Sequence, residues 1–440
     1  MNEERLGNEN ILKLVVRMAL PAMLTMAFQA LYNAFDSLFI ARYSSHAFAS
    51  ISITQPVINI SLAISAGLGA GMAGCISRYL GQRNKKSAED GFKTALLSAF
   101  SIAILIALLS LLFSNSFVAS FTSDSLAIEL GSSYLNIISI CFPFVFLSTI
   151  IASLFNSHSL SLYAMLIQSS GAILNIILDP IFIFYFDLGA NGAAIATALG
   201  YVFSFIFGLI LYNRRSILSL KGSFSFDVLK SITNIALPSM MVSAAGSIVG
   251  LIYNRLILSY GLDEMAVYSM YLKLESFMFL ASSGISSALV VIVAYNYGAR
   301  YFKRVKIAYF TSMLLSLAIM LLGFAFFQIF TKQLVMLFTA DDNLLDMGLR
   351  AFKKLSYCFL LTSFNISTSG LLQGLGKGER SLILTMTRFF LLLIPLSIVL
   401  NYFFGLDGLY LSYFASDVLV LPLIVIIYKI TIKECLKTKE

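Results

Sequence analysis

Charge is what this sequence has least of. Only 12% of its 440 residues are Asp, Glu, Lys or Arg, where a soluble domain carries about a quarter. Together with a 59% hydrophobic content and a mean hydropathy of +0.88, this excludes a water-soluble globular fold. The two histidines, His46 and His158, are too few for a histidine-based metal site. The four cysteines, Cys75, Cys141, Cys358 and Cys435, show no CxxC pairing and lie mostly in apolar stretches, which argues against a disulfide or metal framework. A net charge of +8 could serve nucleic acid, but the basic residues follow the connections and form no single patch. We expect no nucleic-acid partner.

What the chain does have is long apolar runs. A membrane-spanning helix needs about 20 apolar residues. Runs of that kind lie near 12–40, 49–77, 93–116, 130–155, 164–186, 192–213, 230–258, 265–294, 307–331, 346–374, 381–404 and 408–430. The expected fold class is thus an all-α integral membrane protein of about twelve transmembrane helices, with no separate soluble domain. The opening stretch, MNEERLGNENILKLVVRMALP, lacks a basic n-region and a small-residue cleavage site and reads as mature sequence. The most basic breaks, RYLGQRNKKSAEDGFK (78–93), NRRSILSLKGSFSFDVLK (213–230), GARYFKRVK (298–306) and the tail, fall on alternate connections. The positive-inside rule then places both termini in the cytoplasm and the protein in the cell membrane.

The sequence also repeats itself at an offset of 217 residues. ALPAM (19–23) aligns with ALPSM (236–240), Tyr43 with Tyr260, Gly81, Arg83 and Lys86 with Gly298, Arg300 and Lys303, and Cys141 with Cys358. After one deletion GANG (189–192) faces GLDG (405–408). We therefore expect two homologous six-helix lobes, 1–212 and 213–440. An even number of spans per lobe implies a pseudo-twofold axis along the membrane normal, a transporter design.

Ionisable residues inside the runs are functional candidates, because a charge at the bilayer centre costs roughly 2.5–3.5 kcal/mol on insertion scales. They are Asp36, Asp179, Arg255, Lys273, Glu275, Arg388 and Asp417. Asp36 follows Tyr32 and Asn33 by one turn on the first span, and Asp179, in NIILDPIFIF, follows Asn175 by four residues on the fifth. Thr197 of the sixth span and Tyr134 of the fourth fall at a comparable depth. Two carboxylates sharing one layer of low dielectric resist simultaneous ionisation, which suits a proton carrier. The same oxygens suit Na⁺, with Asp36, Asn175, Asp179 and Thr197 as its ligands. The positions matching Asp36 and Asp179 in the second half are Tyr253 and Leu396, so coupling should belong to the first half. Lys273 and Glu275, two residues apart, do not face each other; Arg388 and Asp417 could pair between the last two spans, and Arg255 should reach outward. Pro21 removes a helix hydrogen bond near the start of the first span and is a candidate hinge, although Pro238 repeats it in the half without the carboxylates.

Several of these stretches are recognisable together. LNIILDPIFIFYFDLGANGAAIAT (174–197), ISRYLGQRN (76–84), FDSLFIARY (35–43), LLQGLGKGE (371–379) and YNYGA (295–299) resemble the multidrug and toxic compound extrusion (MATE) family, and its DinF- and MepA-like branch in particular. The resemblance runs over essentially the whole chain. It implies an antiporter, not an enzyme and without cofactors, that expels small cationic or amphipathic compounds in exchange for H⁺ or Na⁺ by alternating access. It carries the family's cation-site residues onto Asp36, Asn175, Asp179, Thr197 and Tyr134, and its bending proline onto Pro21. We expect membrane lipid as its surroundings and a monomer. A flippase for a lipid-linked precursor is the alternative, and it should show several basic residues in its cleft, for which Lys273 and Arg388 are the candidates. A prenyltransferase-like enzyme would need a second Asp-rich motif, which is missing, and a passive channel would need a ring of polar groups.

Overall fold

The computed structural model describes residues 3–215, 217–339 and 341–437. Among them every regular element is helical. In chain order these are α1 (Glu3–Asn8), α2 (Ile11–Tyr43), α3 (Ser45–Gly81), α4 (Lys85–Ala119), α5 (Ser125–Ile140), α6 (Phe142–Ser157), α7 (Ser161–Pro180), α8 (Gly189–Arg215), α9 (Phe226–Leu258), α10 (Leu262–Gly298), α11 (Phe302–Ile329), α12 (Thr331–Met336), α13 (Asp342–Leu355), α14 (Phe359–Gly374), α15 (Gly378–Met386) and α16 (Ile394–Lys437). Short π-helical segments follow α7 at Ile181–Tyr185 and α15 at Thr387–Leu393.

The helices start where polar side chains satisfy their first free N–H groups. Ser44 accepts from Ala47 N at 3.2 Å, Asn84 from Ser87 N at 3.0 Å, and Asp341 from Asn343 N and Leu344 N at 2.9 and 3.1 Å. Among the described residues ten helices are long and apolar enough to cross a bilayer, and α5 with α6, bent by 45°, makes an eleventh when the pair is taken as one span. The last apolar stretch, Gly378–Cys435, has 58 residues; at 1.5 Å per residue that is roughly 87 Å, far more than one crossing of a ~30 Å core. It divides at Gly405, whose φ of 60° and ψ of −146° interrupt α16. With that division the described residues have length and composition for twelve crossings of a multi-pass membrane protein.

The repeat is visible in the backbone. Arg83 and Arg300 both take a positive φ, 58° and 60°, and so do the turn glycines Gly189 and Gly405, at 52° and 60°. A non-glycine residue in that region is uncommon, and its recurrence 217 residues apart marks one turn used twice. Cys141 and Cys358 both sit at helix breaks, the first between α5 and α6 and the second between α13 and α14. The second break lies inside the expected run at 346–374, which remains one span, Asp342–Gly374. Arg350, Lys353 and Lys354 fall on α13, the amphipathic first part of that span, whose Gly348, Ala351, Phe352 and Leu355 are buried, and the apolar α14 carries no Lys or Arg.

By compactness the chain forms two units. Unit 1 holds the residues up to Asn8 and Leu20–Met240, and unit 2 holds Glu9–Ala19 and the residues from Met241 onward. Two helices are therefore shared: α2 gives its residues up to Ala19 to unit 2, and α9 gives its residues up to Met240 to unit 1. In unit 1, α7 and α8 approach so closely that a Cβ on Gly171 would lie 2.4 Å from the Gly200 carbonyl oxygen. In unit 2 the core gathers Tyr253, Tyr268, Tyr271, Phe327, Phe352 and Phe359, each at most 1% exposed.

Candidate functional site

Five of the buried residues of unit 1 singled out in the sequence come from four helices. α2 supplies Asp36, α5 Tyr134, α7 Asn175 and Asp179, and α8 Thr197, and all five are buried. Asn175 and Asp179 are one turn apart on α7, and the Asn175 amide Nδ2 donates both to Asp179 Oδ1 and to Thr197 Oγ1, each at 3.1 Å. One side chain thereby ties α7 to α8. Asp36 lies near enough to Asp179 for their charges to interact, and Tyr134 neighbours both. The close contact at Gly171 and Gly200 is what lets Asn175 reach Thr197; the Cβ of Asn175 would lie 3.5 Å from one on Gly200.

Asn33 stands apart from this group. It is exposed on α2, while Tyr32 turns inward to adjoin Thr197 and Tyr201. The helical period explains the exchange: relative to Asp36, position i−4 is displaced by about 40° and i−3 by about 60° the other way. Tyr201 is a residue that sequence reasoning missed. It follows Thr197 by four positions on α8 and so shares its face, the one signal that could have found it.

The oxygens of this layer without a hydrogen-bond partner among the described residues include Asp36 Oδ1, Asn175 Oδ1 and Asp179 Oδ2. Buried polar atoms in proteins are rarely left so. Their chemistry fits a proton or a small hard cation, which takes oxygen ligands. Among the described residues, no three His, Cys, Asp or Glu side chains gather as they would for a transition metal.

Unit 2 carries a different polar layer. Arg388 Nε and Nη2 donate to Asp417 Oδ1 and Oδ2 at 2.5 and 3.1 Å, and Thr362 Oγ1 donates to Asp417 Oδ2 at 2.7 Å. The Arg388 and Asp417 side chains are 9% and 1% exposed, so the pair is an internal, self-neutralised unit. Glu275 faces inward, with Tyr271 donating to its Oε1 at 3.3 Å and the Cys358 thiol 3.5 Å away. Lys273 is exposed and reaches over the Phe338 ring, 6.0 Å from its centre. Arg255 is exposed. At the position matching Asp36, Tyr253 is buried and bonds to the Leu409 carbonyl.

Helices of this length, a doubled six-span plan and a buried carboxylate layer in one unit set the chain beside known transporters. The MatE family model matches residues 21–181 and again 238–399, once in each half. The chain belongs to the MATE family. Multidrug export protein MepA of Staphylococcus aureus is 27% identical over 98% of this chain and 96% of its own length. Among solved structures, a MATE protein in its bent conformation superposes with a TM-score of 0.94 at 25% identity, covering 99% of this chain and 98% of that one. An outward-facing multidrug resistance MATE transporter of the MOP superfamily superposes at 0.91 with 26% identity, covering 98% of each chain. This MATE chain is thus a multi-pass membrane protein of a family of multidrug efflux transporters.

Proposed function

We propose that this protein is a secondary-active antiporter that exports cationic or amphipathic small molecules in exchange for H⁺ or Na⁺. The observation that carries this reading is the buried layer of Asp36, Asn175, Asp179 and Thr197 with its unpartnered oxygens, set in helices that are otherwise apolar. Ionisable groups are costly in a membrane interior and are retained there for ion pathways and proton relays.

Coupling needs a cation that binds one conformation better than the other. With both termini cytoplasmic, H⁺ or Na⁺ arriving from outside binds at Asp36 and Asp179 and changes the hydrogen bonding of the layer. α2 then repacks, the affinity for the exported compound falls, and the compound leaves. Tyr134 and Tyr32 line the same layer, and Tyr253 at the matching position of unit 2 leaves coupling to unit 1. The chain's 38 Phe, 21 Tyr and 16 Met provide adaptable apolar surface for varied compounds.

The test is export of ethidium from proteoliposomes of known orientation, under an imposed pH gradient or an imposed Na⁺ gradient, for wild type and Asp36→Asn. Transport driven by one gradient and lost in the variant supports the antiporter and names its coupling ion. Dye that stays put under both gradients, with folded protein, sinks the reading and leaves a lipid-linked precursor as the compound to try.

A further inference from the structure

The last turn of α2 is fastened to the turn that follows α7. Tyr43 Oη donates to Asp187 Oδ1 at 2.9 Å. The Tyr43 ring lies over Gly189, where a Cβ would come within 2.5 Å of it. Phe184, in the π-helical segment, meets Phe39 and Tyr43 with ring centroids 6.2 Å away in both cases. Asp187 and Gly189 both take a φ of 52°, so this turn has a specific, sparsely populated shape.

The clasp closes a ring with the buried layer. Asp36 precedes Tyr43 on α2 by two turns, and Asp179 precedes Asp187 across the π-helical segment. Fixing Tyr43 to Asp187 therefore limits how far Asp36 and Asp179 can separate. Unit 2 holds a related clasp without the layer: Tyr260, the counterpart of Tyr43, donates from Oη to Asn401 Oδ1 at 2.7 Å near Gly405, although Asn401 lies four residues before that glycine and Asp187 two before Gly189. There the acceptor is an amide, and the residue matching Asp36 is Tyr253. The repeat thus supplies an internal control, one clasp that spans a carboxylate pair and one that does not.

We propose that Tyr43 and Asp187 are positioning residues for cation binding, holding Asp36 against Asp179 through the clasp. The proposal rests on the coupling role given above to those two carboxylates. What matters is the bond and the geometry it holds, since the charge of Asp187 has no counterpart in Asn401.

The experiment measures the half-saturating concentration of the coupling cation and the maximal rate of ethidium export for Tyr43→Phe, Asp187→Asn, Tyr260→Phe and Asp36→Asn. Phenylalanine keeps the ring on Gly189, so the fold should survive. Tyr43→Phe should raise the half-saturating concentration roughly two- to tenfold, the range carried by one hydrogen bond, with little change in maximal rate. Asp187→Asn keeps an acceptor oxygen and should behave as wild type, and Tyr260→Phe should leave the concentration unchanged. An unshifted Tyr43→Phe overturns the proposal, as does an equal shift in Tyr260→Phe, which would mark the clasp as merely structural. A shift in Asp187→Asn as large as that of Tyr43→Phe also overturns it, by assigning the effect to charge. Gradient-driven export that persists in Asp36→Asn overturns the coupling reading itself and this proposal with it.

Discussion

Arg388 and Asp417 hold each other by two hydrogen bonds, 2.5 and 3.1 Å long, inside unit 2. The pair differs in kind from Asp36 and Asp179 of unit 1, which have no cationic partner among the described residues. Two opposite charges that neutralise each other have little left to offer a passing ion. Breaking a buried pair by removing one member costs about 3–5 kcal/mol, because the other is left charged without compensation, whereas replacing both with apolar groups is often near neutral. Arg388→Met or Asp417→Leu alone should therefore lower the melting temperature in detergent strongly, and the double variant should regain most of the loss. Single variants as stable as wild type would mean that the pair does not hold the fold together. Asp36→Asn removes an uncompensated buried carboxylate and should leave stability unchanged or raise it.

Asn175 is the joint of the unit 1 layer, donating at 3.1 Å to both Asp179 and Thr197. Asn175→Leu keeps the side-chain volume but removes both bonds and the free Oδ1. A hydrogen bond to a charged group is worth more than a neutral one, so the affinity for the coupling cation should fall roughly ten- to a hundredfold. Thr197→Val removes one acceptor and should cost less. Dye binding in the absence of a gradient should be unaffected in both. Unchanged cation dependence in Asn175→Leu would remove this residue from the site.

The close approach of α7 and α8 depends on two glycines. A methyl on Gly171 would sit 2.2 Å from Ser204 Oγ and 2.4 Å from the Gly200 carbonyl oxygen, and backbone cannot step aside. Overpacking of this kind costs about 1–3 kcal/mol, and here it would also part Asn175 from Thr197. Gly171→Ala should lower both thermal stability and cation affinity. Gly246 and Gly250 on α9 have nothing within 4 Å of an added Cβ. Alanine at either should be neutral or stabilise by up to about 1 kcal/mol, since glycine is a poor helix former. Thermal melts of the three variants separate the two kinds of glycine.

The architecture was legible because apolar run length is dictated by bilayer thickness, and the repeat because identical turns keep identical residues, as at Arg83 and Arg300. Asn175, Asp179 and Thr197 were legible as polar residues in apolar company. The inward turn of Tyr32 in place of Asn33 was not, since two positions within about 60° of the same direction differ only once neighbouring helices are packed. Tyr201 and Tyr271 escaped notice because a tyrosine in a membrane helix looks the same whether it faces lipid or a carboxylate. The run at 346–374 was legible as one span, Asp342–Gly374, but the break at Cys358 that sets off its amphipathic first part was not.

Pro21 follows the first α2 residue assigned to unit 1, and Pro238 lies two residues before the last α9 residue assigned to it. Unit 1 takes over α2 at Leu20, and unit 2 takes over α9 at Met241. Proline within a helix removes one backbone hydrogen bond and costs about 3 kcal/mol relative to a good helix former. Yet α2 runs through Pro21 without interruption, and one turn on Thr25 Oγ1 donates to the Pro21 carbonyl at 3.0 Å, while the missing Pro21 N–H leaves the Arg17 carbonyl without its helix donor. A weak point retained at the same place in both repeats is the expected position for bending. Pro21→Ala and Pro238→Ala should each raise the melting temperature, by up to that intrinsic cost. If the helices bend there during the cycle, both should also slow ethidium export while leaving dye binding intact. Pro21→Ala should additionally alter the cation dependence, because α2, unlike α9, carries a carboxylate of the layer. Variants that melt higher and transport at the wild-type rate would show that neither proline is a hinge.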